Sequence, residues 1–253
     1  MVVDVAHEAE GPDGGAALVL SCSLGTERSL WEPQLATLAA CHRVIRYDHR
    51  GHGRSPVPPG PYTIAQLGDD VLRMLDDLGL SSASFCGTSL GGMVGMWLAS
   101  HAPARIDRLV LLCTAAHLGP ASDWFARAAL VRAEGTASIA DAVAGRWFTP
   151  AFRSARPEVV ARHLDGLRAT DAEGYAGCCE AIGTMDLRDD LGRITAPTLV
   201  VAGDADPATT VEDAAAIAGQ VAGSRLVVLE QAAHLANVEQ PALVTELIME
   251  HLR

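Results

Sequence analysis

The sequence predicts an α/β protein with a mostly parallel sheet flanked by helices. Short β-branched or leucine-rich runs alternate with longer segments of helical periodicity, the pattern of strands joined by crossover helices. One run passes directly into a helix through a serine between glycines, at residues 87–91. The alternation is interrupted between residues 118 and 188, where we find helical periodicity and no convincing strand.

Six strands and five helices follow from that pattern. The strands are expected at residues 17–20, 44–47, 83–86, 109–112, 198–201 and 226–229. The helices are expected at residues 30–40, 63–78, 90–100, 211–218 and 241–252. Apolar residues recur at three- and four-residue spacing in the second helix, which predicts one face packed on the core. That face consists of Ile64, Leu67, Val71, Met74, Leu75 and Leu78.

The uninterrupted helical segment is most simply an insertion between two strands of one sheet. Residues 1–117 and 189–253 are therefore expected to form a discontinuous core domain. Residues 118–188 are expected to form a helical cap, or lid, over that core.

The charged residues exclude several classes of function. All 19 basic residues are arginine, so Schiff-base chemistry, pyridoxal-phosphate attachment and the phosphate-binding lysine loop are excluded. The formal net charge of −12 argues against nucleic acids and anionic membranes as partners. An anionic substrate would therefore need a local cluster of arginines.

The sequence indicates no metal or cofactor. The six cysteines lack metal-ligand spacing, and most fall in apolar segments where they are expected to be buried. The adjacent Cys178 and Cys179 are expected on a helix of the inserted segment. Neither a secretory leader nor an apolar run of membrane-spanning length is visible, so a cytoplasmic location is expected. The sequence gives no indication of the oligomeric state.

Ser89 is the candidate nucleophile. A strand that turns at once into a helix must fold back sharply at this serine, and only small residues at positions 87 and 91 allow the close approach. The turn presents the hydroxyl at the carboxyl edge of the sheet, together with the N–H of Leu90. The alternative to a nucleophile is a structural role, in which the serine caps the helix at a strand-to-helix turn.

A nucleophilic serine needs a base, and the base needs a carboxylate to orient it. Asp204 and Asp206 both follow the strand at 198–201, and His234 follows the strand at 226–229. All three come after Ser89 in the order Ser, Asp, His and lie at the same edge of the sheet. At least one of the two aspartates is expected only to cap a turn.

An oxyanion formed at Ser89 also needs a second hydrogen-bond donor. The loop after the first strand reads Ser-Cys-Ser-Leu-Gly-Thr from residue 21, and the N–H of Leu24 is the candidate. Leu24 and Leu90 are therefore expected to form the oxyanion hole.

His49 and His52 lie in the segment Asp-His-Arg-Gly-His-Gly-Arg-Ser that starts at residue 48. A metal site would need a third ligand at a recognised spacing, and none accompanies them. A glycine-rich loop held to its neighbours by Arg50 and Arg54 is the better interpretation.

These residues resemble the α/β-hydrolase family over essentially the whole chain. The matching blocks are residues 48–55, the serine turn at 87–91, the Gly-Asp-Ala-Asp at 203–206 and the Ala-His at 233–234. In that family the last aspartate of the third block is the acid, which selects Asp206 over Asp204. Many members carry His-Gly before the oxyanion residue, whereas this chain has Cys22 and Ser23.

A narrower resemblance is to the bacterial 3-oxoadipate enol-lactonases. The matching segments are residues 23–26, 45–53, 57–64, 89–97 and 146–150. The Ser-Leu-Gly of the first segment is similar to the pattern of these enzymes. The resemblance implies hydrolysis of 3-oxoadipate enol-lactone to 3-oxoadipate in the β-ketoadipate pathway of aromatic catabolism, without a cofactor.

Such a small lactone carries a carboxylate and needs a cation beside the pocket. The inserted segment offers Arg127, Arg132 and Arg146, and arginine suits carboxylate recognition. We expect Arg132 and Arg146 to bind the substrate, with Trp124 and Trp147 as apolar walls. The alternative for any one arginine is a solvated place on the outer face of the cap.

Other functions remain open at this level. A general carboxylesterase, a cofactor-free perhydrolase and a carbon–carbon bond hydrolase would use the same fold. A small-molecule receptor on a hydrolase scaffold is the alternative outside enzymes.

Overall fold

The computed structural model describes the whole chain, Met1–Arg253. Its centre is a seven-stranded sheet in the order β1-β3-β2-β4-β5-β6-β7. β1 pairs antiparallel with β3, and the other neighbouring strands are parallel. The strands are β1 (His7–Glu10), β2 (Ala16–Ser21), β3 (His42–Tyr47), β4 (Ala83–Thr88), β5 (Ile106–Leu112), β6 (Thr198–Gly203) and β7 (Arg225–Leu229).

The six strands predicted from the sequence are confirmed, and β1 is an addition. β1 reads His-Glu-Ala-Glu, and its four residues are all exposed. An edge strand with no buried face has no apolar alternation, so the sequence pattern did not reveal it. The central β4 is buried along its whole length, as expected for a parallel strand covered on both faces.

Two groups of helices flank the sheet. α1 packs against α11, and α2 packs against α3. These helices and two others of the core are α1 (Glu32–Ala39), α2 (Ile64–Asp77), α3 (Leu90–His101), α9 (Val211–Gln220), α10 (Ala236–Glu239) and α11 (Pro241–His251). The sequence predicted five of them, and the short α10 was missed.

α2 illustrates how the local sequence specifies its helix. Thr63 and Gln66 form a reciprocal capping box at its N-terminus, an arrangement that typically contributes about 1 kcal/mol. Five of the six residues of the predicted apolar face are buried, and Leu78 is half-buried. Position 68 of the same helix is glycine, because a Cβ there would come within 2.0 Å of the Trp97 ring on α3.

Five helices lie between β5 and β6 and cover the carboxyl edge of the sheet. They are α4 (Ala121–Glu134), α5 (Ala140–Trp147), α6 (Pro150–Ala155), α7 (Pro157–Ala169) and α8 (Ala172–Thr184). His117 and Asp186 form an isolated β-bridge, so the two connections to this helical segment run side by side. The division into a core and a cap at residues 118 and 188 stays an interpretation of this connectivity.

None of the helices combines the length and the apolar character that crossing a bilayer requires.

Candidate active site

Ser89 occupies a strained turn between β4 and α3. Its backbone has φ 56° and ψ −114°, in a region that residues other than glycine rarely adopt. A Cβ at Gly87 would lie 2.2 Å from the backbone of Gly91, and a Cβ at Gly91 would lie 2.5 Å from the Ser21 carbonyl oxygen. Both glycines are therefore required for the strand and helix to meet at this serine.

Two hydrogen bonds, one to the end of β5 and one from the segment that follows it, hold that turn in place. The N–H of Ser89 donates to the Leu112 carbonyl at 2.9 Å. The Thr114 hydroxyl donates to the Ser89 carbonyl at 2.7 Å. The contact of Thr114 could not be predicted from the sequence, because no recognisable motif surrounds this residue after β5.

His234 and Asp206 form a buried pair at the same edge. His234 Nδ1 donates to Asp206 Oδ2 at 2.8 Å, which leaves Nε2 as the second nitrogen of the ring. The Asp206 carboxylate also accepts from the N–H groups of Ala208 and Thr209 and from the Thr209 hydroxyl. Burial alone would raise the pKa of Asp206, but His234 and these donors hold it below its usual value.

Asp204 occupies a different position. Its exposed side chain accepts from the N–H of Gln231 at 2.7 Å, which fixes the turn after β7. The geometry therefore places Asp206, and not Asp204, against His234.

The loop that carries His234 is anchored to the cap. The N–H of His234 donates to the Arg146 carbonyl at 3.4 Å, and that of Leu235 to the Trp147 carbonyl at 3.0 Å. Glu239 accepts from the N–H of Ala233 on one side and from the N–H and hydroxyl of Thr149 on the other. The imidazole is thus held by the core through Asp206 and by the cap through the backbone.

The Ser89 hydroxyl makes no hydrogen bond within the protein, and Ser89 lines the same cavity as His234. Hydrogen bonds between a nucleophile and its base are often long before substrate binds and shorten in the complex.

The backbone N–H groups of Leu24 and Leu90 have no acceptor within the protein. Leu90 is the first residue of α3, so its N–H belongs to the unpaired, positive end of the helix. The two segments are joined because the N–H of Gly91 donates to the Cys22 carbonyl at 3.0 Å. This is the placement expected for an oxyanion hole beside Ser89.

A cavity of about 430 Å³ lies between this edge and the cap. Ser89, His234 and Leu24 form part of its lining. From the cap come Trp124, Arg127, Val143, Arg146, Trp147 and Tyr175. Three of the four residues predicted to bind substrate, Trp124, Arg146 and Trp147, therefore reach the cavity.

Arg132 does not line the cavity. Its guanidinium is held by Glu173 at 2.7 Å and Glu180 at 2.5 Å, both on α8. Arg127, also on α4, lines the cavity instead; it makes no ion pair, and its guanidinium lies 5.2 Å from the centre of the Trp124 ring. The sequence offered both arginines, and the packing of α4 on α8 separates them.

Comparison with known proteins agrees with the fold. Residues 17–241 match the family described as alpha/beta hydrolase fold. The chain belongs to this family and is a hydrolase.

Within the family it is similar to enol-lactonases. It is 49% identical over 225 residues to 3-oxoadipate enol-lactonase 2 of Acinetobacter baylyi, covering 89% of this chain and 84% of the relative. It is 38% identical over 231 residues to 3-oxoadipate enol-lactonase 1 of the same organism, covering 91% and 86%. The crystal structure of the enol-lactonase from Burkholderia xenovorans LB400 matches with a TM-score of 0.96 and 42% identity, covering 98% of this chain and 96% of that one. The resemblance noted in the sequence is confirmed.

Proposed function

We propose that this protein hydrolyses 3-oxoadipate enol-lactone to 3-oxoadipate. The observation that carries the proposal is a single capped cavity that brings Ser89 and His234 together with unpaired arginines of the cap. The relatives named as 3-oxoadipate enol-lactonases support the choice of substrate. The reaction belongs to aromatic catabolism, and we assign it to the cytoplasm.

In this mechanism the Ser89 hydroxyl attacks the lactone carbonyl carbon while His234 Nε2 takes its proton. Asp206 holds the imidazole through Nδ1 and stabilises its charged form. The ring C–O bond then breaks, His234 returns the proton to the leaving enol oxygen, and the enol tautomerises to the ketone. A water molecule attacks the acyl-enzyme with the same base, which releases the new carboxylate and restores Ser89.

The negative charge on the carbonyl oxygen develops beside the N–H groups of Leu24 and Leu90. A preorganised donor of this kind contributes about 3–4 kcal/mol to lowering the barrier. Both donors belong to the backbone, so their orientation depends on the loops that carry them.

Arg127 and Arg146 are proposed to bind the substrate carboxylate. Both line the cavity and neither forms an ion pair within the protein. Arg127 is half-buried against Trp124, where a carboxylate is less screened by water than at the outer surface. Arg132 is excluded from this role because two glutamates already occupy its guanidinium.

The test is an assay of the purified protein on 3-oxoadipate enol-lactone, followed by loss of enol-lactone absorbance, beside a panel of simple lactones and p-nitrophenyl esters. We expect the enol-lactone to have the highest kcat/KM of the panel. Ser89→Ala should lower kcat by about 10⁴-fold or more.

Three outcomes would change the assignment. Wild-type turnover by Ser89→Ala would show that Ser89 is not the nucleophile. Strong ester hydrolysis without lactone turnover would favour a general carboxylesterase. Failure of a fluorophosphonate probe to label Ser89 would favour a binding protein.

A further inference from the structure

His49 and His52 are buried beneath the proposed oxyanion hole, and the mechanism does not use them. Both lie in the loop between β3 and α2, which passes between the segment Ser21–Thr26 and α8 of the cap. Gly51 of this loop packs so closely on α8 that a Cβ there would lie 2.3 Å from the Gly174 Cα. The two imidazoles therefore occupy fixed positions in a crowded interior.

Each imidazole bonds one peptide group of the segment that carries Leu24. His52 Nε2 accepts from the N–H of Gly25 at 3.0 Å. His49 Nε2 donates to the carbonyl of Cys22 at 3.0 Å, and also lies 3.3 Å from the Ser21 hydroxyl. The peptide before the Ser23–Leu24 peptide is thus held by one histidine, and the peptide after it by the other.

The remaining peptide, between Ser23 and Leu24, carries the proposed oxyanion donor. Its carbonyl accepts from the N–H and the hydroxyl of Thr26 at 3.1 and 2.8 Å. Its N–H, that of Leu24, has no acceptor. The tight turn also depends on Gly25, whose φ of 77° favours glycine. Three successive peptides are therefore fixed while one N–H is left available.

The partners determine the tautomers of the two rings. An N–H group can only donate, so His52 Nε2 is unprotonated and its Nδ1–H donates to the Arg50 carbonyl at 3.2 Å. A carbonyl can only accept, so His49 carries its proton on Nε2 and its Nδ1 faces the Tyr47 hydroxyl at 3.4 Å. The two histidines are neutral and of opposite tautomer.

Burial keeps them neutral. Burial and the neighbouring His52 together lower the pKa of His49 to about 3, against the opposing effect of the Cys22 carbonyl. Burial also lowers the pKa of His52, against the opposing effects of the Arg50 carbonyl and Asp48. A protonated His52 would turn Nε2 into a donor facing a donor, so neutrality is a condition of the arrangement.

The loop that carries the histidines is itself braced. Asp48 accepts from the N–H groups of Arg28 at 2.8 Å and Arg54 at 3.0 Å. Arg50 forms a buried ion pair with Asp70 at 2.6 Å. Arg50 thus fixes the loop as the sequence predicted, whereas the Arg54 side chain is exposed and forms no ion pair.

We propose that His52, assisted by His49, is a positioning residue that aims the Leu24 N–H at the substrate oxyanion. This rests on the proposed function, because it requires Leu24 to be the oxyanion donor of a Ser89 hydrolase. Neither histidine lines the cavity or bonds to Ser89, so both act through the backbone of residues 22–25.

The test compares two variants that keep different nitrogens of His52. In His52→Gln the side-chain amide reaches the place of Nε2 and its oxygen can accept from Gly25. In His52→Asn the shorter amide reaches only the place of Nδ1, so the bond to Arg50 can persist while the bond to Gly25 is lost. The substrate is p-nitrophenyl butyrate, which carries no carboxylate for the cap arginines to bind.

We expect His52→Asn to lower kcat by about 10- to 100-fold with KM within about 2-fold of wild type. His52→Gln should recover kcat to within about 3-fold of wild type, because it restores the acceptor. Inhibition by phenylboronic acid, which forms a tetrahedral adduct on the serine, should weaken in parallel with kcat/KM across the variants. A merely structural residue would not produce that parallel.

Equal kcat for His52→Asn and wild type, equal losses in both variants, or a change in KM alone would overturn the proposal. Thermal unfolding checks that the variants are folded. If His52→Asn does not fold, His52→Met replaces it, because methionine matches glutamine in length and lacks a strong acceptor. Ser89→Ala in the same assay separates the proposed function from the proposed role of His52. Full activity of Ser89→Ala would refute the proposed function. Normal activity of His52→Asn, together with an inactive Ser89→Ala, would refute only the role of His52.

Discussion

The carboxyl edge of the sheet and the cap both line the cavity, but they place their side chains in different ways. Ser89, Asp206 and His234 follow strand ends, are almost fully buried and are fixed by backbone hydrogen bonds. The cap residues project from helices: Trp124 and Arg127 are partly exposed and Arg146 is exposed, whereas Trp147 beside it is buried. The reactive groups therefore depend on sheet topology, whereas the groups proposed for recognition depend on how one helix packs on another.

The largest expected effect tests the core side with its two neighbouring aspartates. Asp206→Asn should lower kcat by about 10⁴-fold, because the amide favours the wrong imidazole tautomer. Asp204→Asn, which changes an exposed turn two residues away, should leave kcat within about 2-fold of wild type. Steady-state kinetics on the enol-lactone would measure both, and similar losses in the two variants would contradict the assignment of the acid.

A second pair of variants compares the rigidity of the two regions through their glycines. Gly87→Ala should reduce the free energy of unfolding by about 3 kcal/mol or more, because the new methyl group meets the backbone of Gly91. Gly166→Ala, on α7 of the cap, meets nothing within 4 Å and should raise stability by about 0.5–1 kcal/mol. Urea denaturation gives both values, and a stable Gly87→Ala protein would show that the serine turn is less constrained than its geometry indicates.

A third comparison lies within the cap itself. Arg127→Gln should raise KM for the enol-lactone by about 10-fold or more, through loss of a charge-assisted contact to the substrate carboxylate. An uncharged p-nitrophenyl ester should show little change. Arg132→Gln removes the same charge from the same helix but breaks only partly exposed pairs with Glu173 and Glu180, so KM should stay within about 2-fold. Equal effects of the two variants on KM would favour a long-range electrostatic role over a direct contact.

This contrast also explains which parts of the molecule the sequence predicts. Strand ends of a parallel sheet meet at one edge, so Ser89 and His234 could be placed together before the structure was known. Between Asp204 and Asp206 the choice came from the family resemblance, and the structure now shows the physical reason in the separate contacts of the two carboxylates. The edge strand β1 escaped prediction because it has no buried side.

The cap arginines show the limit of sequence reasoning. Arg127 and Arg132 are five residues apart on α4, which separates them by about 140° around the helix. Periodicity alone does not tell which of these directions faces the cavity, because only Ala128 and Val131 of α4 are buried and the helix has no continuous apolar face. That choice is made by the contact of α4 with α8, where two glutamates capture Arg132. No local sequence motif predicts an ion pair between residues as far apart in the chain as Arg132 and Glu180.

The bonds from the His234 loop to the Arg146 and Trp147 carbonyls make the position of the catalytic base depend on the position of α5. If a substitution in the cap displaced α5, those two bonds would break, while the bond from Asp206 to the imidazole lies in the core and would remain. A change in α5 can therefore lower kcat without altering Ser89, Asp206 or His234.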